Sequence, residues 1–130
     1  MLFVCESNAG PSVLAEVVAR AKAPRAEVWS AGVNPSHVAP EVRAVLHERG
    51  LPVNGLRSKG IEYVPMEEVA VVVTLSRQLD GLRLPAHVRR LHWPLPDPAS
   101  YPPEERLDAY RATLDELERR VALHAGEIFG

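Results

Sequence analysis

The chain has 130 residues, enough for one domain with its own core and too few for two. Hydrophobic residues make up 46% and charged residues 25%, a balance that excludes a disordered or membrane-embedded chain. A formal charge of −2 offers no basic field for nucleic acid or anionic lipid, and no apolar run is long enough to span a bilayer.

The first stretch, Met1 to Ala21, organises the rest. Leu2, Phe3 and Val4 are apolar without alternation, as a buried parallel strand requires. A loop of small and polar residues follows, Cys5-Glu6-Ser7-Asn8-Ala9-Gly10-Pro11-Ser12. Val13, Leu14, Val17, Val18 and Ala21 then recur at helical spacing, with Pro11 suited to the first turn. Ala26 to Ser30 reads as a second strand, and Pro40 to Arg49 as a helix stopped by Gly50. Val69 to Leu75 is the most apolar and β-branched run, which marks the central buried strand. Val88 to Trp93 is a weaker strand whose Arg89 and Arg90 demand an edge. Pro94-Leu95-Pro96-Asp97-Pro98 is neither helix nor interior strand, since proline lacks a donor and restrains its predecessor. A last helix is expected from Pro103 to Ile128, with Leu107, Tyr110, Leu114, Leu117, Val121 and Ile128 on one stripe.

Strands separated by helices argue for a small parallel sheet covered on both faces. Ligands bind at the carboxyl ends of such strands, where Cys5, Ser76 and the Pro94–Pro98 loop all fall. A strand, a tight loop and a helix aim backbone N–H groups and the positive end of the helix dipole at an anion. The only cysteine stands at the base of that cradle, where the dipole favours its thiolate. Cys5 is therefore either a buried packing residue or a sulfur nucleophile. Ser12 suits a helix start. Asn8 is a residue type that tolerates positive φ. Asp97 reads as a turn aspartate, held stiffly by its flanking prolines. A lone cysteine excludes an intrachain disulfide. Together with the lack of a signal-peptide pattern after Met1, it points to the cytoplasm. The five histidines show no metal-ligand spacing, so no metal or other cofactor is expected.

The opening motif resembles the low-molecular-weight protein tyrosine phosphatases and the arsenate reductases that share their fold. These begin with a strand, then Cys, five residues, Arg, Ser or Thr, and a helix. Cys5 takes the cysteine position, Asn8 the loop asparagine and Ser12 the closing hydroxyl, while Ser30-Ala31-Gly32 and Leu56-Arg57-Ser58-Lys59 resemble later family segments. The resemblance implies an α/β, three-layered fold over residues 1–130 as one domain: a flavodoxin-like, four-stranded parallel sheet with helices on both faces. It also implies Cys5 as nucleophile, Asp97 of the Asp97-Pro98 pair as general acid, Ser12 as thiolate donor, and the loop Glu6, Ser7, Asn8, Ala9, Gly10 and Pro11 as the oxyanion cradle. His92-Trp93 ahead of that pair looks like the arsenate reductase branch.

Two departures stand out. Pro11 occupies the arginine position, removing a guanidinium fork and a backbone N–H from the cradle. Arg57, Arg77 and Arg83 are the candidates to reach in from another loop. The two further cysteines of the thioredoxin-coupled reductases would fall at Ser76 and near Arg83, and neither is a cysteine. With one sulfur there is no internal disulfide relay, so arsenate reduction would need an external thiol reductant. Three functions follow: a phosphomonoester hydrolase, an arsenate reductase using an external thiol, or a catalytically inactive relative that binds an oxyanion or a protein. The expected ligands are phosphate, arsenate or a phosphoester, with no nucleic-acid or membrane partner.

Overall fold

The computed structural model describes residues 1–130. Its elements in chain order are β1 (Leu2–Cys5), α1 (Pro11–Lys22), β2 (Trp29–Gly32), α2 (Pro40–Glu48), β3 (Val71–Thr74), β4 (Arg89–His92), α3 (Pro103–Leu123) and α4 (Ala125–Phe129). The four strands form one all-parallel sheet in the order β2-β1-β3-β4, a flavodoxin-like arrangement. No helix is long and apolar enough to cross a membrane.

Strand alternation divides the core between the two faces. Phe3, Val71 and Val73 point to a large cluster completed by Val13, Leu14 and Val17 of α1, Val42, Val45 and Leu46 of α2, and Tyr110, Leu114 and Leu117 of α3. Leu2, Val4, Ala31 and Val72 point the other way, onto Val64, Val69 and Leu79. Helices thus cover both faces, α-helices on one and short 3₁₀ segments (Ile61–Tyr63, Met66–Glu68, Arg77–Leu79) on the other. Trp93, just past β4, is buried against Phe3 with ring centroids 6.2 Å apart. Arg49 pairs with Asp115 and Glu118, and Arg111 pairs with Glu48, tying α2 to α3 at the surface.

The run Val69 to Leu75 contains β3, one of the two inner strands, and β4 lies at the edge that Arg89 and Arg90 demand. Two expectations shift. The second strand begins at Trp29 rather than Ala26 and extends through the small residues Ala31 and Gly32. The last helix breaks at His124, whose ring lies 5.3 Å from that of Trp93 and whose Nδ1 meets Glu127 Oε1 at 2.7 Å.

Strand order places the ends of β1 and β3 side by side, and Leu75 N–H donates to Val4 O at 2.8 Å. The loop after β1 is pressed against the end of β2. A Cβ on Gly32 would lie 2.6 Å from Asn8 N and 2.7 Å from the carbonyl carbon of Ser7, both rigid backbone. Gly32→Ala should therefore force the loop to shift and lower the unfolding free energy by about 1–3 kcal/mol, the usual cost of overpacking. Urea denaturation measures this; a stability equal to that of the parent protein would mean the loop yields freely.

Candidate active site

The loop between β1 and α1 turns its carbonyls outward. Glu6 O accepts from Asn34 N–H, Ser7 O from Ser36 N–H and the Ser58 hydroxyl, and Ala9 O from Ala39 N–H, at 2.8–3.1 Å. Anchored there, the loop leaves the N–H groups of Ser7, Asn8, Ala9, Gly10, Ser12 and Val13 without a protein acceptor. Such a set, together with the first turn of a helix of 12 residues, attracts a tetrahedral anion. Pro11 occupies the first helical position, where its missing N–H costs the helix nothing but removes one donor from the set.

Asn8 holds this shape. It is fully buried and adopts φ 48°, a left-handed conformation that asparagine accepts more readily than most residues. Its Oδ1 accepts from Lys59 N–H at 2.8 Å, which fixes the orientation of the amide. Its Nδ2 then donates to Ser12 Oγ at 2.7 Å and to Ser30 Oγ at 3.0 Å. Both hydroxyls accept a hydrogen bond from Asn8. Ser30 donates in turn to Glu16 Oε1 at 2.6 Å. Ser12 Oγ lies 2.8 Å from Cys5 Sγ, where either atom can donate while the sulfur is a thiol. A thiolate at Cys5 could only accept, so in that state the bond runs from Ser12 to sulfur. Glu16, only 8% exposed, is not left unpaired: Arg20 pairs with Oε2 at 3.0 Å and Lys59 Nζ lies 3.5 Å from Oε1.

Cys5 lies at the floor of a cleft of about 610 Å³, whose walls come from three strand ends. Glu6, Ser7 and Pro11 belong to the first loop, Leu75, Ser76 and Arg77 to the end of β3, and Leu95 to Asp97 with Tyr101 to the loop after β4. Ser76 Oγ accepts from Glu6 N–H at 3.1 Å, and Leu95 N–H donates to Leu75 O at 2.9 Å, so the three segments are hydrogen-bonded edge to edge. Asp97 Oδ1 accepts from Ala99 N–H at 3.0 Å, which orients the carboxylate at the rim. Beneath the loop lies Tyr110, whose Cε1 would be 3.2 Å from a Cβ on Gly10, hence the glycine there. Burial, reinforced by the charges of Glu41 and Asp97, pushes the Tyr110 phenol up to about 12, and it remains a neutral hydroxyl.

Of the residues singled out from sequence, Cys5, Glu6, Ser7, Pro11 and Asp97 line the cleft itself. Ser12 and Asn8 lie behind it as the buried clamp, and Ala9 and Gly10 complete the loop. Arg57 and Arg83 lie outside the cleft, whereas Arg77 and Ser76 line it. Sequence reasoning missed the roles of Glu16, Ser30 and Lys59 around the clamp. One signal was available for Glu16: a carboxylate among Val13, Leu14, Ala15, Val17 and Val18 of α1, all buried, requires partners.

Comparison with known proteins agrees with this geometry. The family model described as low molecular weight phosphotyrosine protein phosphatase matches residues 1–128. The arsenate reductase of Brevibacillus brevis is 28% identical over 122 residues, covering 92% of this chain and 88% of that protein. The crystal structure of an arsenate reductase from Archaeoglobus fulgidus superposes with a TM-score of 0.82 at 31% identity, covering 96% of this chain and 98% of that one. A mutant of the YwlE arginine phosphatase with a phosphorylated active-site serine is 25% identical, with a TM-score of 0.78 over 97% of this chain and 93% of its own. By sequence along almost its whole length and by the order of its sheet, the chain belongs to the low-molecular-weight phosphotyrosine protein phosphatase family.

Proposed function

We propose that the protein is a cysteine-dependent phosphatase acting on phosphomonoesters, with Cys5 as nucleophile and Asp97 as general acid and base. The observation that carries this reading is the shared cleft: a sulfur hydrogen-bonded to a buried hydroxyl at its floor and a carboxylate at its rim. In the first step Cys5 Sγ attacks phosphorus, the P–O bond to the leaving group breaks, and Asp97 gives that oxygen its proton. In the second, water attacks the phosphocysteine, Asp97 takes the water proton, and inorganic phosphate leaves with Cys5 restored. The N–H groups of Ser7 to Gly10 hold the equatorial oxygens through both steps. A reducing compartment such as the cytoplasm would keep Cys5 in the thiol form.

A second reading, arsenate reduction, is favoured by the relatives at 28% and 31% identity that carry that name. Cys5 is the only cysteine, so the second sulfur of the resulting disulfide would come from an external thiol. Arsenate-dependent oxidation of a supplied small thiol tests it, and a rate equal to that without protein would eliminate it. The binding-module alternative remains for a protein active in neither assay.

The phosphatase reading makes two further predictions. Asp97→Asn should lower kcat/KM, which reports the first step without the hydrolysis of phosphocysteine, about 10²–10⁴-fold for an aryl phosphate with a poor leaving group. The loss should be far smaller for a dinitrophenyl phosphate, whose leaving oxygen needs no proton. Cys5→Ser should abolish turnover of both, and equal losses on the two substrates would remove Asp97 from the acid role. Ser12→Ala should slow alkylation of Cys5 by iodoacetamide at neutral pH several-fold, since the thiolate loses its donor. An unchanged alkylation rate would mean that the Ser12 hydroxyl does not act on the sulfur.

A further inference from the structure

Pro11 leaves the cleft without a cation from its own loop, yet a phosphoryl or arsenyl group brings about two negative charges. The ionisable acidic and basic side chains lining the cleft, apart from Cys5 itself and Tyr101, are Glu6, Asp97 and Arg77. Glu6 is drawn toward Asn34, whose Nδ2 donates to its Oε1 at 2.7 Å, and Asp97 is held by Ala99. Arg77 alone is positive. Most arginines of the chain are engaged: Arg20, Arg49, Arg89, Arg111, Arg119 and Arg120 with carboxylates, and Arg43, Arg90 and Arg106 with backbone carbonyls. The Arg77 side chain is exposed and makes no hydrogen bond or ion pair with the protein. Arg25, Arg57 and Arg83 share that freedom but do not line the cleft.

The backbone carrying Arg77 is fixed next to the nucleophile. Leu75 N–H donates to Val4 O, the residue before Cys5, and Ser76 Oγ accepts from Glu6 N–H, the residue after it. Arg77 then opens the 3₁₀ turn Arg77–Leu79, closed by Leu79 N–H to Ser76 O at 3.0 Å. A five-donor guanidinium therefore starts from an anchored position beside the cradle, with no internal partner to compete for it.

Resting on the oxyanion-binding reading of the Cys5 loop, we propose that Arg77, from the end of β3, supplies the guanidinium that binds the oxyanion over Cys5 in place of residue 11. The positive charge is thereby relocated from the helix start to a neighbouring strand end. A planar fork there meets two oxygens that point away from the loop amides.

The test is protection of Cys5 from iodoacetamide, a neutral alkylator, by inorganic phosphate at constant ionic strength held with chloride. Arg77→Gln should raise the half-protecting phosphate concentration about tenfold or more, the scale of a lost hydrogen bond to a charged group. Arg57→Gln and Arg83→Gln should leave it unchanged. Adding Pro11→Arg to Arg77→Gln should restore most of the protection, since the guanidinium returns from the other side. Circular dichroism checks that each variant is folded, and exposure of all three arginines makes this the expected result. Equal protection in Arg77→Gln and the parent protein overturns the proposal while leaving the oxyanion reading intact. Equal loss in all three glutamine variants also overturns it, because the effect would then be one of net charge. A parent protein whose Cys5 is not protected by phosphate at high millimolar concentration removes the oxyanion reading and the proposal together.

Discussion

The buried Asn8 amide is the constraint on which the site depends. One carbonyl oxygen and two amide hydrogens meet three fixed partners, Lys59 N–H, Ser12 Oγ and Ser30 Oγ. They hold a left-handed residue in the middle of a loop whose N–H groups must point inward. Ser12 and Ser30 both accept from Asn8, and Ser30 donates onward to Glu16. Loop shape, thiolate support and the buried Glu16 ion pairs are therefore one unit, and its energy belongs to the unit rather than to any single contact. Gly32 shows how tightly it is fitted, since even a methyl group there would meet loop backbone.

Pro11 stands at the edge of this unit. Proline at the first helical position is compatible with the start of α1, and the neighbouring Ser12 has its place in the clamp. Proline offers the loop neither a charge nor an amide donor.

The fold was legible where its causes are local. Leu2 to Val4, the following loop and the helix from Pro11 are encoded by a run, a composition change and a periodicity that lie within about twenty residues, and β3 by an apolar β-branched run. The β2 strand starts three residues later than its sequence suggests because its last residues are small: Ser30 bonds Asn8 and Gly32 lies against the loop backbone, so neither is there for strand propensity. The break at His124 is a tertiary effect of Trp93 and Glu127, invisible to a stripe that continues to Ile128. The site was legible by the same rule. Cys5, Asn8 and Ser12 sit on one loop, so their spacing shows in the chain. The contacts of Lys59 with Asn8 and of Ser76 with Glu6 join residues 51 and 70 positions apart, and only folding brings them together.

A single sulfur also separates the two chemistries that the cleft admits. Hydrolysis of a phosphomonoester is redox-neutral: the thiolate leaves the second step as it entered the first, and water is the only co-reactant. Reduction of arsenate to arsenite takes two electrons, which two thiols supply as they join in a disulfide. Were the protein to reduce arsenate, Cys5 would be one of them, and Ser76, which lines the cleft and accepts from Glu6 N–H, carries oxygen rather than sulfur. The partner thiol would then have to come from outside and reach Cys5 through the cleft. A protein bringing it would have to present its sulfur to a residue only 3% exposed, at the bottom of a space of about 610 Å³. A small-molecule thiol meets that steric demand more easily than a thiol on a protein surface, and the phosphorus of a phosphoester would have to reach the same sulfur.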